Sequence, residues 1–188
     1  MNEIEFLENY TQEFNELIQR TDVHFSTLIN AKKAILEASN LGKKTIIIGN
    51  GGSAAIASHF SVDITKNAGV RAINFNESDL LTCFSNDFGY EEWAYQAVKM
   101  YGDPGDVLIA ISSSGKSKNI LNACKSAKEK SFSQIITLSG MSNDNPLNKE
   151  GDLNFWVDSK AYNHVENIHQ FLLLSLVDLI IGNSVYSA

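Results

Sequence analysis

Ile109-Ala110-Ile111-Ser112-Ser113-Ser114-Gly115-Lys116-Ser117 is an apolar run that ends in small hydroxyl residues and a glycine, then opens a helical pattern. Such a stretch reads as a strand, a turn and a helix start. Backbone N–H groups at a helix start lack partners and carry partial positive charge. Serine hydroxyls add further donors. The stretch is an anion-binding turn, or a Ser-rich turn in which Ser117 caps the helix. Ile46-Ile47-Ile48-Gly49-Asn50-Gly51-Gly52-Ser53-Ala54-Ala55 repeats the order of strand, Gly-rich turn and helix start. Two such turns in one short chain point to a ligand held between them.

Outward from these turns the chain alternates. Residues 45–48, 70–75, 107–111, 134–138 and 153–157 read as strands. Residues 53–66, 80–86, 91–100 and 117–130 read as helices. Residues 45–48 are apolar almost without interruption, as a strand buried on both faces should be. The pattern predicts a doubly wound, mostly parallel five-stranded sheet of the α/β class, flanked by helices. Ligands in such sheets bind beyond the carboxyl ends of the strands, where both turns fall. Two helices precede the sheet, over 3–20 and 23–40. A long helix over 162–183 follows it, and this helix is apolar nearly all round from Phe171 to Ile181. Such a surface is buried in a core or in a contact between subunits. The chain divides into a helical extension (1–40), an α/β core (43–160) and a C-terminal helix (161–185) of one domain, 1–188.

A length of 188 residues suits one domain. The net charge of −7, with no basic cluster, argues against a nucleic-acid partner. Cys83 and Cys124 have no metal-site spacing and form no disulfide framework, which suits a reducing compartment. The acidic N-terminus is unlike a signal peptide, and the apolar run 171–181 is short for a membrane span and contains Asp178. A cytoplasmic protein with no membrane partner is expected.

The two turns, with their neighbours, resemble a known family. Gly49-Asn50-Gly51-Gly52-Ser53-Ala54-Ala55, followed by His59 and Asp63, resembles the first motif of the sedoheptulose-7-phosphate isomerases, also called phosphoheptose isomerases. Asn86-Asp87-Phe88-Gly89-Tyr90 resembles their Asn-Asp-aromatic-Gly segment. Gly105 through Ser117 resembles the phosphosugar signature of SIS domains. The resemblance spans almost the whole chain. It implies the SIS fold, a sugar-phosphate substrate, no nucleotide cofactor, and a homotetramer with sites at subunit boundaries. By it, Asn50, Gly51 and Gly52 would line the sugar. Ser53, Ser112, Ser113, Ser114 and Ser117 would bind the phosphate, and Asp87 would bind sugar hydroxyls.

The family's proton-transfer and metal positions are altered here. Asp63 stands where the family has glutamate, Glu166 where it has glutamine, and Leu174 where it has histidine. Of the family's four such positions only His59 is unchanged; His169 keeps a further position of the last helix that is often histidine in the family. Aldose–ketose isomerisation through an enediol needs a base between adjacent carbons and a group that handles the hydroxyl proton. Asp63, Glu166 and His169 are the catalytic candidates. His59 and Asp63 share one helical face at i, i+4. Glu166 and His169, at i, i+3, lie on another helix. If the two faces meet, His59, Asp63, Glu166 and His169 form either a zinc-type site or a metal-free acid–base cluster. The expected activity is aldose–ketose isomerisation in heptose or surface-polysaccharide sugar synthesis. The alternatives are a non-catalytic SIS module that binds a phosphosugar or a protein, and an isomerase for a different sugar phosphate.

Overall fold

A computed structural model describes residues 2–186 of the chain; Met1 and residues 187–188, at the ends of the expected domain, lie outside it. Helix α1 (Glu3–Gln19) and a 3₁₀ turn (Arg20–His24) lead into α2 (Phe25–Asn40). The sheet elements then alternate: β1 (Thr45–Ile48), α3 (Gly52–Ala68), β2 (Ala72–Ile73), α4 (Ser78–Phe88), α5 (Trp93–Tyr101), β3 (Val107–Ile111), α6 (Lys118–Glu129), β4 (Gln134–Gly140), a 3₁₀ turn (Leu147–Lys149), β5 (Leu153–Val157) and α7 (Tyr162–Ile181).

The five strands lie in the order β2-β1-β3-β4-β5, and each neighbouring pair is parallel. Parallel pairing needs helices on both faces, and the alternation of side chains along each strand feeds both. In β1, Ile47 packs with α2, α3 and α7 on one face. Ile46 and Ile48 pack with α5 and α6 on the other. Five contiguous residues of β3, Val107–Ile111, are fully buried, which accounts for the unbroken apolar run.

The second expected strand, 70–75, pairs only at Ala72 and Ile73. It is an edge strand with one neighbour. Asn74 ends it by turning its side-chain oxygen to the Asn76 N–H, a local bond that competes with the ladder. The helix expected over 80–86 runs from Ser78 to Phe88. Helix α7 buries one face, including Val165, Ile168, Leu172, Leu173, Leu176 and Val177, in the core that it shares with α2 and α3. Phe171 stays exposed, so the helix is not buried all round.

Candidate active site

The order β2-β1-β3 has a direct consequence. From β1 the chain winds outward to β2, and from β3 it winds the other way to β4. The crevice beyond the carboxyl ends of β1 and β3 is therefore the topological switch point of the sheet. Both conspicuous turns open there.

After β1, Gly51 turns the chain with φ 55° and ψ −122°, a conformation that costs glycine little and a β-branched residue much. No side chain caps α3, so its first-turn N–H groups face the crevice. Gly52 begins the helix, and a Cβ there would collide with the carboxylate of Glu166. Ser53, in the same turn, is buried.

After β3, Ser112 and Ser113 are buried and Ser114 is half-buried. Ser117 stands at the N-cap of α6 in extended conformation, yet its hydroxyl does not cap the helix. It is bonded to the Ser112 hydroxyl at 3.1 Å instead. The Ser113 hydroxyl is buried without a partner. A helix start left uncapped, ringed by hydroxyls and holding one unsatisfied polar atom, suits an anion. The turn is supported from behind, where the Leu147 N–H donates to the Gly115 carbonyl. The buried Asn145 side chain donates to the Ser139 hydroxyl and the Ser142 carbonyl.

An amide pair joins the two turns. Asn50 and Asn119 exchange two hydrogen bonds of 2.9 Å each. The Tyr90 hydroxyl donates to the same Asn50 oxygen at 3.1 Å. Asn119 and Tyr90 thus join the candidate site, although the sequence pattern did not single them out. An asparagine in the first turn of α6 carries no periodic signal. Tyr90 closes the quoted Asn86–Tyr90 segment, so proximity to that motif was the available clue. Asp87, expected to bind sugar hydroxyls, is exposed on α4, and its carboxylate bonds Asn86 and Cys83 of its own helix.

Helices α3 and α7 pack side by side, and their facing residues make a second cluster next to the first. His59 Nε2 lies 3.2 Å from Asp63 Oδ2, on successive turns of α3. From α7, Glu166 reaches Gly52, and the Gln170 amide nitrogen lies 2.6 Å from His59 Nδ1. The face of α7 that meets α3 is thus Glu166 and Gln170.

His169 does not join them, which corrects the expected four-residue convergence. Its side chain is fully buried on the sheet side of α7, with Nε2 bonded to the Ser139 carbonyl at 3.1 Å and Nδ1 without a partner. Burial pushes its pKa down to about 4, against a smaller upward effect of the Ser139 bond. The physical reason is the helical twist of 100° per residue. Residues 166 and 170 fall close together, while residue 169 rotates toward β4. Among the described residues, no three of His, Cys, Asp and Glu are grouped so as to hold a metal ion. The zinc set His59, Asp63, Glu166 and His169 is therefore not assembled within one chain.

Residues 9–140 match the SIS domain family. A phosphoheptose isomerase of Campylobacter jejuni is 31% identical over 185 residues, which cover 94% of this chain and 97% of that one. A phosphoheptose isomerase of Hamiltonella defensa is 34% identical over 164 residues, covering 81% and 79%. The chain belongs to the phosphoheptose isomerase family of SIS-domain proteins. The structure of the Neisseria gonorrhoeae phosphoheptose isomerase superposes with a TM-score of 0.89 at 26% identity, over 96% of this chain and 100% of that one. As in any doubly wound protein, the phosphoheptose isomerase fold puts its loops at the switch point, and this chain places there the hydroxyl-lined start of α6 and the cluster of His59, Asp63, Glu166 and Gln170 between α3 and α7.

Proposed function

We infer that the chain is a sugar-phosphate isomerase that interconverts a ketose phosphate and its aldose through an enediol, with sedoheptulose 7-phosphate as substrate. The observation that carries this reading is the pairing of two different chemistries at one switch point. The uncapped, hydroxyl-lined start of α6 suits a phosphate of about −1.5 to −2 charges. The His59–Asp63 pair and Glu166 lie beyond the neighbouring strand. A phosphosugar bridging the two turns would present its phosphate to Ser112, Ser113, Ser114 and Ser117, and its hydroxyls to Asn50, Gly51, Gly52 and Ser53. Asp87, on α4 close to Tyr90, would bind the sugar hydroxyls.

Asp63 is the carbon base. Its carboxylate takes the proton from C1 of the ketose, and the resulting acid returns that proton to C2 of the enediol. Glu166, beside the first turn of α3, takes the proton of the C1 hydroxyl and delivers it to the oxygen on C2. Its carboxylate lies against Gly52 in the first turn of α3, whose amides would stabilise negative charge developing on the enediol oxygens. His59 is bonded to Asp63 and holds it. His169, neutral and turned to β4, supports the fold of the site and not the proton transfer.

The chain works as a homotetramer. Helix α1 has no buried residue of its own, and Ile4, Phe6 and Leu7 are more than half exposed. An open hollow of about 570 Å³ runs along it beside Ile4, Leu7 and Thr11. His59 is half exposed as well, which leaves the acid–base half open to a second subunit. The reading is tested by incubating the protein with ketose phosphates of five, six and seven carbons and following aldose formation by NMR. Turnover of the seven-carbon substrate in preference to the others supports it. Tight binding of a sugar phosphate with no turnover favours a binding module instead.

A further inference from the structure

Gln170 stands next to the catalytic candidates in sequence but belongs to none of the motifs. In the structure its side chain crosses from α7 to α3, and the line Gln170–His59–Asp63 runs through both ring nitrogens of His59, at 2.6 Å and 3.2 Å. The polarity of this line follows from donor and acceptor chemistry. An ionised carboxylate only accepts, so Nε2 carries the ring proton toward Asp63. A neutral imidazole with a proton on Nε2 has a bare Nδ1, which only accepts. The NH₂ side of the Gln170 amide is then the group that meets it. A glutamate at 170 could not donate to that nitrogen, and a leucine would leave it to solvent.

We propose that Gln170 is a positioning residue of this site, which holds the His59 ring in the orientation and tautomer that donate Nε2–H to Asp63. The proposal rests on the reading of Asp63 as the carbon base. The need for such a residue is physical. His59 and Asp63 are joined only along one helix surface, with side-chain exposures of 51% and 26%, and a pair of that kind is weakly held. An anchor on a second helix removes the freedom of the ring to swing. Helix α7 can supply it because its packing on α3 is set by a buried core that includes Ile56, Phe60, Val165 and Ile168. A neutral amide does this without adding charge beside two carboxylates.

The test uses the full chain labelled with ¹⁵N-histidine, with His59→Gln to assign the His59 signals among the four histidines. At pH 8, His59 should show a protonated Nε2 and an Nδ1 that accepts a hydrogen bond. In Gln170→Met the Nδ1 signal should move to that of an unbonded acceptor, with the thermal melt unchanged. Gln170→Leu serves as a second variant with the same expected shift. In both, kcat on the ketose phosphate should fall roughly tenfold to a hundredfold while KM stays within about twofold, because orientation and not binding is lost. A protonated Nδ1 in the wild type, an unmoved Nδ1 signal in both variants, or a moved signal with unchanged kcat overturns the proposal. The reading beneath it fails separately: full activity of Asp63→Asn removes the base and leaves the Gln170–His59 bond in place.

Discussion

His169 and Gln170 are adjacent in the chain and, about 100° apart around α7, face β4 and α3 respectively. From Glu166, an i, i+3 and an i, i+4 neighbour fit a helical face about equally well, so spacing alone ranks neither. The retained histidine is the more conspicuous residue chemically. What decides is the register in which α7 lies between α3 and β4, and that is set by packing along its whole length, which no local pattern contains. The burial of His169 has a consequence for pH. Above about pH 6.5 both the folded and unfolded chains hold it neutral. As pH falls from about 6.5 toward 4, the unfolded chain takes up a proton that the folded chain refuses, so folding stability is lost across that window. Urea denaturation of His169→Gln at pH 7.5 and pH 5 should show a smaller loss on acidification than the wild type; equal losses would contradict the buried, neutral assignment. At Gly52, alanine would drive the Glu166 carboxylate out of its place against α3. Gly52→Ala should cut kcat by at least tenfold, on the scale expected when a catalytic group is displaced by about an ångström, with little change in melting temperature, and a wild-type kcat would remove Glu166 from the chemistry.

At the scale of elements, the strand–turn–helix units were legible because their signals are local. A buried parallel strand shows as an unbroken apolar run, and the turn after it needs glycine or small hydroxyl residues where the backbone must approach a ligand. The edge strand β2 was legible only in outline, since its ladder with β1 holds two residue pairs and the Asn74–Asn76 side-chain bond ends it there. What joins the turns was not legible at all: the Asn50–Asn119 pair links residues 69 apart and depends on β1 and β3 lying side by side. Asn119→Leu should leave Asn50 without its partner and weaken substrate binding, read as a rise in KM. The start of α6 predicts a larger effect. At roughly 1.5 kcal/mol for each hydrogen bond to a charged group, Ser114→Ala combined with Ser117→Ala should weaken sugar-phosphate binding on the order of a hundredfold. Unchanged affinity by calorimetry would place the phosphate elsewhere.

For the whole molecule, the strand order β2-β1-β3-β4-β5 explains why a site forms where it does. The α/β class, the parallel sheet and the flanking helical segments could be inferred from alternation and apolar runs, but the switch point is a property of strand order and emerges only in three dimensions. Assembly is likewise beyond a single chain, although the exposed Ile4, Phe6 and Leu7 of α1 mark a surface that calls for cover. Light scattering at micromolar concentration should give the mass of a tetramer, four times 20.7 kDa; a monomer would contradict the proposed assembly. The central claim is that this switch-point site moves a proton between adjacent carbons of a sugar phosphate, with Asp63 as the base. The most direct measurement is NMR of sedoheptulose 7-phosphate incubated in deuterated water with the wild type and with Asp63→Asn. The account predicts aldose formation with solvent deuterium at C2 for the wild type, and a rate lower by a factor on the order of 100 to 10,000 for the variant. A wild type that neither forms aldose nor exchanges deuterium, or a variant that does both at the wild-type rate, would contradict it.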